Sequence, residues 1–201
     1  KAIAFAREKN IEVLTIFAFS SENWKRPERE VNMLMELFFT VLGSEVKKLN
    51  KHNIKLKIIG ELTGFSQRLQ QKVLEAEQLT ENNTGLVVNV AANYGGRWDI
   101  TQAAKKSALL VAKGELVADD VDESLFAKLM TLHQLPSVDL MIRTGGDQRI
   151  SNFLLWQVAY AELYFTDSYW PDFNQTLFQT AVDDFCDRQR RFGKTGEQVS
   201  Q

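Results

Sequence analysis

Cysteine and histidine are scarce, and there is no strong excess of charge of either sign. The single cysteine, Cys186, excludes an internal disulfide, and the two isolated histidines, His52 and His133, make no zinc-type cluster. Twenty-four Lys and Arg against 26 Asp and Glu leave a formal net charge of −2, which excludes a general electrostatic grip on nucleic acid or an anionic membrane. Any positive potential must be local. No apolar run approaches the roughly 18 residues of a membrane-spanning helix, and no secretory leader is visible. These absences predict a cytoplasmic protein with no membrane span and no nucleic-acid partner. Also missing are the Gly-x-x-x-x-Gly-Lys-Ser/Thr loop, the Gly-x-Gly-x-x-Gly fingerprint and the Gly-x-Ser-x-Gly elbow. An ordinary P-loop NTPase, a recognisable dehydrogenase and an elbow-type hydrolase are excluded with them.

What is present is alternation. Ala2, Ile3, Phe5 and Ala6 have helical spacing. Val13 to Phe19 is an unbroken apolar run with β-branched and aromatic members, which predicts a strand buried on both faces. Pro27 suits the first turn of a long helix from Glu28 to Leu49, with Val31, Leu34, Leu37, Phe38, Val41 and Leu42 as its apolar face, broadened by Met33, Met35 and Phe39. A strand at Ile54–Ile59, a helix at Gln67–Leu79 and a buried strand at Leu86–Ala92 follow. Beyond them the pattern gives helices at Ile100–Ala112 and Glu123–Met130, and a strand at Val138–Ile142. A helix at Phe153–Val158, a short strand at Glu162–Phe165 and a last helix from Gln175 to Arg190 complete it. The length suits one domain over residues 1–201, and the alternation predicts a three-layer α/β fold, a mostly parallel central sheet flanked by helices.

In such sheets ligands bind beyond the carboxyl ends of the strands, so polar loops that follow strands carry the functional signal. Three stand out: Ser20-Ser21-Glu22-Asn23-Trp24-Lys25-Arg26-Pro27, Asn93-Tyr94-Gly95-Gly96-Arg97-Trp98-Asp99, and Arg143-Thr144-Gly145-Gly146-Asp147-Gln148-Arg149-Ile150-Ser151. The third outlines a diphosphate clamp. A guanidinium presents a planar fork of donors matched to phosphate oxygens, and Arg143 and Arg149 could meet one diphosphate if Gly145 and Gly146 turn the chain sharply. Plainer readings stand beside these. Ser20 and Ser21 would cap a turn, Trp24 would staple a helix to the core, Asp99 would cap a helix, and the arginines would be solvated or salt-bridged. Arginine forks beside so much apolar surface suggest an amphiphile with a phosphorylated head, although apolar stripes ordinarily mean plain core.

The segments Phe19–Pro27, Asn93–Asp99, Arg143–Gln157, Ala161–Phe165 and Trp170–Phe173 resemble the motifs of the cis-prenyltransferases, in family order from Lys1 to about Gly193. The resemblance implies sequential condensation of isopentenyl diphosphate onto an allylic diphosphate, farnesyl diphosphate by expectation, with Mg2+. The product would be undecaprenyl diphosphate, the carrier lipid of cell-wall synthesis. It further implies that Arg143, Arg149 and Ser151, with Ile150 supplying backbone, hold the diphosphate of isopentenyl diphosphate. Ser20, Ser21, Glu22, Trp24 and Arg26 match substrate-contacting positions, and Asn23 matches the family's proton acceptor or its organiser. A neutral carboxamide has almost no proton affinity near pH 7, so Asn23 fits the organiser better, with a diphosphate oxygen taking the proton. Glu162 matches the Mg2+ carboxylate, and Gln148 stands where some members place a metal-associated histidine. Ala18, Met33, Leu37 and Leu86 are candidate walls for the growing chain. Arg191-Phe192-Gly193 resembles an element that reaches a partner's active site, so a homodimer is expected.

The family's Asp-Gly-Asn-Gly-Arg-Trp segment occurs nowhere in these residues, and Lys1 opens without methionine inside a helical pattern. The expectation is that the segment and the first strand lie upstream and that this piece alone does not turn over. Two rivals remain open on sequence: a non-catalytic prenyltransferase-like subunit of a dimer, and a cis-prenyl synthase of different product length.

Overall fold

A computed structural model describes residues 1–188. They group into two compact units: Ala6–Pro136, and Lys1–Phe5 with the described residues from Ser137 onward. The first helix, α1, runs Ala2–Glu8.

The larger unit is built on three parallel strands, β1 (Val13–Ser20), β2 (Lys55–Ile59) and β3 (Val87–Tyr94), in the order β1-β3-β2. Helix α2 (Glu28–Lys51) connects β1 to β2, and α3 (Gln67–Thr80) connects β2 to β3. Position in the sheet decides burial. The central β3 places Val88, Asn89, Ala91, Ala92 and Tyr94 among the most buried residues, whereas β1 has only Phe19 fully buried. The expectation that the β1 run is buried on both faces is therefore corrected, because it pairs with β3 on one side only. The free edge of β2 is covered. The Thr80 hydroxyl accepts from the Leu56 amide at 3.0 Å and the Glu77 carboxylate from the Ile58 amide at 2.8 Å, so α3 satisfies donors that an edge strand would leave bare. Helix α2 buries Val31, Leu42 and Val46, but Leu37 and Val41 of its apolar face are exposed. Helices α4 (Gly96–Ala112) and α5 (Glu123–Leu129) complete the unit.

The smaller unit pairs β4 (Leu140–Thr144) with β5 (Glu162–Thr166), again parallel, and ends in α6 (Gln175–Asp187). Its apolar centre includes Phe178, which contacts Phe5 at 4.5 Å and Phe173 at 5.7 Å between ring centroids. The helix expected at Phe153–Val158 does not form; the segment is a run of turns. Ser151, Asn152 and Leu154 all have φ between +45° and +62°, and such left-handed residues interrupt a right-handed helix before it can propagate. The expected end of the last helix at Arg190, and Arg191–Gly193, lie outside the described residues. All strand pairs are thus parallel and flanked by helices, as the alternation predicts, but their hydrogen bonds form a three-stranded and a two-stranded sheet.

Candidate active site

The clamp loop leaves β4 and turns immediately. Gly145 and Gly146 have φ of +92° and +82°, and their amides donate to the Ser168 and Thr166 carbonyls at 2.9 and 3.0 Å, which pins the turn beside the end of β5. The turn brings Arg143, Arg149 and Ser151 together. Arg143 donates through Nη1 to the Arg149 carbonyl and to Ser151 Oγ (2.6 Å), and through Nη2 to Asp147 Oδ2 (2.8 Å). Arg149 Nη2 donates to the same oxygen at 2.6 Å. The plain salt-bridge reading is therefore true in part, and the fork reading survives it. Asp147 engages one N–H of each guanidinium, while a guanidinium carries five. The Arg149 side chain is 65 % exposed and that of Arg143 only 22 %, so one cation is free to meet an incoming anion and the other is built into the loop. Sequence reasoning does not single out Asp147. Its only signal is position, four residues after one arginine and two before the other. Ile150, between Arg149 and Ser151 in sequence, is half-buried, and Gln148 is exposed.

Glu162, at the start of β5, is held by Arg188. The guanidinium donates to its carboxylate at 2.9 Å, to the Leu163 carbonyl at 3.1 Å and to Asp184 at 2.6 Å. The Glu162 hydrogen bond pushes the Arg188 pKa above its ordinary value against the opposing effect of burial. Among the described residues no three His, Cys, Asp or Glu side chains gather as a metal cage. Arg188 engages Oε2 of Glu162, and a single carboxylate can still suit Mg2+, which takes one or two carboxylates and completes its shell with water and substrate phosphates.

In the larger unit, the loop after β1 is a short 3-10 turn over Ser21–Lys25. Asn23 Oδ1 accepts the Ser20 amide at 2.9 Å, which fixes the carboxamide, and its NH2 can donate. Ser21 Oγ lies 3.2 Å from the neighbouring Glu22 carboxylate, and Arg26 pairs with Glu30 at 2.6 Å on the open surface. Trp24 is no buried staple. Its ring is 40 % exposed, edge-on to Phe19 at 5.3 Å, and its indole N–H donates to Asn93 Oδ1 at 2.7 Å. The loops after β1 and β3 thus meet at the carboxyl ends of neighbouring strands. Asp99 does not cap α4, whose cap position is Gly95. It is buried one turn inside, where its carboxylate accepts from Tyr94 Oη (2.8 Å), the Thr131 amide (3.0 Å) and Thr131 Oγ1 (2.6 Å). Of the candidate chain walls, Met33, Leu37 and Ala18 are exposed and Leu86 is buried, so α2 carries apolar surface that this unit does not use as core.

Residues 1–193 match the prenyltransferase family model described as "Putative undecaprenyl diphosphate synthase". The chain belongs to the cis-prenyltransferase family. Among curated relatives, the ditrans,polycis-undecaprenyl-diphosphate synthase ((2E,6E)-farnesyl-diphosphate specific) of Aliivibrio fischeri is 62 % identical over 99 % of this chain and 77 % of its own length. The Vibrio vulnificus enzyme of the same name is 60 % identical over 99 % and 79 %. Among solved structures, lavandulyl diphosphate synthase from Lavandula x intermedia, in complex with dimethylallyl diphosphate, superposes with a TM-score of 0.92 at 38 % identity, covering 96 % of this chain and 83 % of that one. A probable undecaprenyl diphosphate synthase from Campylobacter jejuni gives 0.86 at 36 %, covering 96 % and 88 %.

Proposed function

We propose that this cis-prenyltransferase extends farnesyl diphosphate with isopentenyl diphosphate to make undecaprenyl diphosphate. The observation that carries the reading is the clamp, in which two guanidiniums on a Gly-Gly turn converge on a single anionic oxygen. The product follows the relatives at 62 % and 60 % identity, since the lavender enzyme, named for a different product, is 38 % identical.

Departure of diphosphate from the allylic substrate builds negative charge on the leaving oxygens and positive charge on the prenyl carbon. The alkene of isopentenyl diphosphate attacks that carbon, and a proton leaves to restore a double bond. Arg143, Arg149 and Ser151 bind the diphosphate of isopentenyl diphosphate and fix its distance from the attacked carbon. Ser20, Ser21, Glu22, Trp24 and Arg26 contact substrate, and Asn23, its carboxamide fixed by the Ser20 amide, orients it through its NH2, because a neutral carboxamide has almost no proton affinity near pH 7. Glu162 would hold Mg2+, with Gln148 a second candidate, and the bound ion would neutralise the leaving diphosphate. The enzyme works in the cytoplasm as a homodimer. No helix among the described residues is long and apolar enough to cross a membrane.

The complete encoded protein, given farnesyl diphosphate and labelled isopentenyl diphosphate, should yield a polyprenyl product that co-migrates with undecaprenyl diphosphate. Absence of any condensation in the presence of Mg2+ would sink the enzymatic reading. A product of another length would sink the product assignment alone.

A further inference from the structure

One residue at the carboxyl edge of the three-stranded sheet is held in a way that its own strand does not require. Along β1 and β3 the register runs Phe17 opposite Ala91, Phe19 opposite Ala92 and Ser20 opposite Tyr94, which leaves Ala18 and Asn93 unpaired. Asn93 is thus an inserted residue, with φ of +52° and 7 % exposure. Bulges of this kind re-aim a side chain. Here the carboxamide points to two other strand ends at once. Its Oδ1 accepts the Trp24 indole N–H at 2.7 Å, and its Nδ2 donates to the Glu61 carbonyl at 2.6 Å, while the Glu61 amide returns to the Asn93 carbonyl at 3.0 Å. Gly60 makes that approach possible, since a Cβ there would stand 2.0 Å from the Ala92 carbonyl oxygen.

We propose that Asn93 is a positioning residue that fixes the Trp24 indole, linking the loop after β1 to the ends of β2 and β3. The chemistry admits few substitutes. A carboxylate could accept the indole N–H but could not donate to Glu61, and most side chains resist a left-handed backbone that asparagine tolerates. With its N–H tied down and its ring edge-on to Phe19 and inclined to Phe65 (centroids 6.1 Å apart), Trp24 keeps two-fifths of its surface open in one fixed attitude. The functional consequence rests on the reading above that Trp24 contacts substrate: Asn93 acts on substrate binding only through that ring.

The test uses the complete encoded protein labelled with 15N. The Trp24 indole resonance is assigned by its loss in Trp24→Phe, and Asn93→Gly removes the carboxamide while keeping a residue at ease with positive φ. Asn93→Gly should shift that resonance and speed its exchange with solvent about tenfold, the equivalent of one hydrogen bond lost. It should also raise the KM for farnesyl diphosphate about tenfold, yet change it less than about twofold in the Trp24→Phe background, because both residues act through one contact. An unmoved indole resonance, or fully additive effects in the double variant, would overturn the proposal. A moved resonance with wild-type kinetics in Trp24→Phe would uphold the anchor and remove Trp24 from substrate binding, and inactive wild-type protein would count against the enzymatic reading alone.

Discussion

Arg143 and Arg149 are six residues apart and chemically alike, yet the fold gives them different work. Arg143 is built into the loop, because its Nη1 holds Ser151 and the Arg149 carbonyl. The Arg149 side chain, by contrast, is held by Asp147 alone among the described residues and is largely open to solvent. Charge-assisted hydrogen bonds are worth about 1.5–3 kcal/mol. Arg149→Ala should therefore raise the KM for isopentenyl diphosphate by roughly tenfold or more at an unchanged melting temperature. Arg143→Ala should raise KM and also lower loop protection in hydrogen exchange; wild-type steady-state kinetics in both variants would refute the clamp. Asp147 lowers the repulsion between the two cations and keeps them converged. Asp147→Ala should raise the KM with little change in kcat, and Asp147→Glu should recover part of the loss. Tighter binding of inorganic diphosphate by Asp147→Ala, read by calorimetry, would show instead that the carboxylate competes with ligand. The arginines were legible because their chemistry names a ligand. Asp147 was not, because an acidic residue beside two basic ones has no meaning until the turn brings all three together.

Among the elements, α4 is tied to the residues after α5 by one buried carboxylate. Asp99 accepts hydrogen bonds from the Tyr94 hydroxyl and from the Thr131 amide and hydroxyl, and removing a buried partner costs about 1–3 kcal/mol for each group left unsatisfied. Asp99→Ala should accordingly destabilise the fold by roughly 3 kcal/mol in urea titration, and Tyr94→Phe by about 1 kcal/mol. A loss under about 0.5 kcal/mol for Asp99→Ala, the size expected of an ordinary surface change, would mean that the network is not structural. At the end of β2, the Thr63 hydroxyl and amide hold the Glu61 carboxyl below its ordinary range. A depressed folded pKa adds stability above the unfolded value and loses it as pH falls through the folded one, so Thr63→Val should flatten the acid limb of the stability profile slightly. Periodicity located nearly every element because burial imposes periods of two and 3.6. It failed at Phe153–Val158, where a helix-compatible sequence follows residues already committed to left-handed backbone. It could not tell that Leu37 and Val41 lie open, since an apolar stripe looks the same whether it faces core or solvent.

For the molecule as a whole, that open stripe is the feature with most consequence. Met33 and Leu37 are 65 % and 59 % exposed on α2, and a long prenyl product needs apolar surface that the fold itself does not consume. Enlarging Ala18 or truncating Leu86 should shift the chain-length distribution of products resolved by chromatography. An unchanged distribution in both variants would remove these residues from the wall. Sequence alone determined the alternation of strands and helices, the loops that follow strands and the donor chemistry of those loops, because composition and periodicity are local properties. Only the tertiary structure decided that the strands divide between two sheets, that Asp147 joins the clamp and that Asn93 holds Trp24. Each of these depends on which backbone segments approach within hydrogen-bonding distance, and that is fixed by packing the chain against itself rather than by any residue's neighbours in sequence.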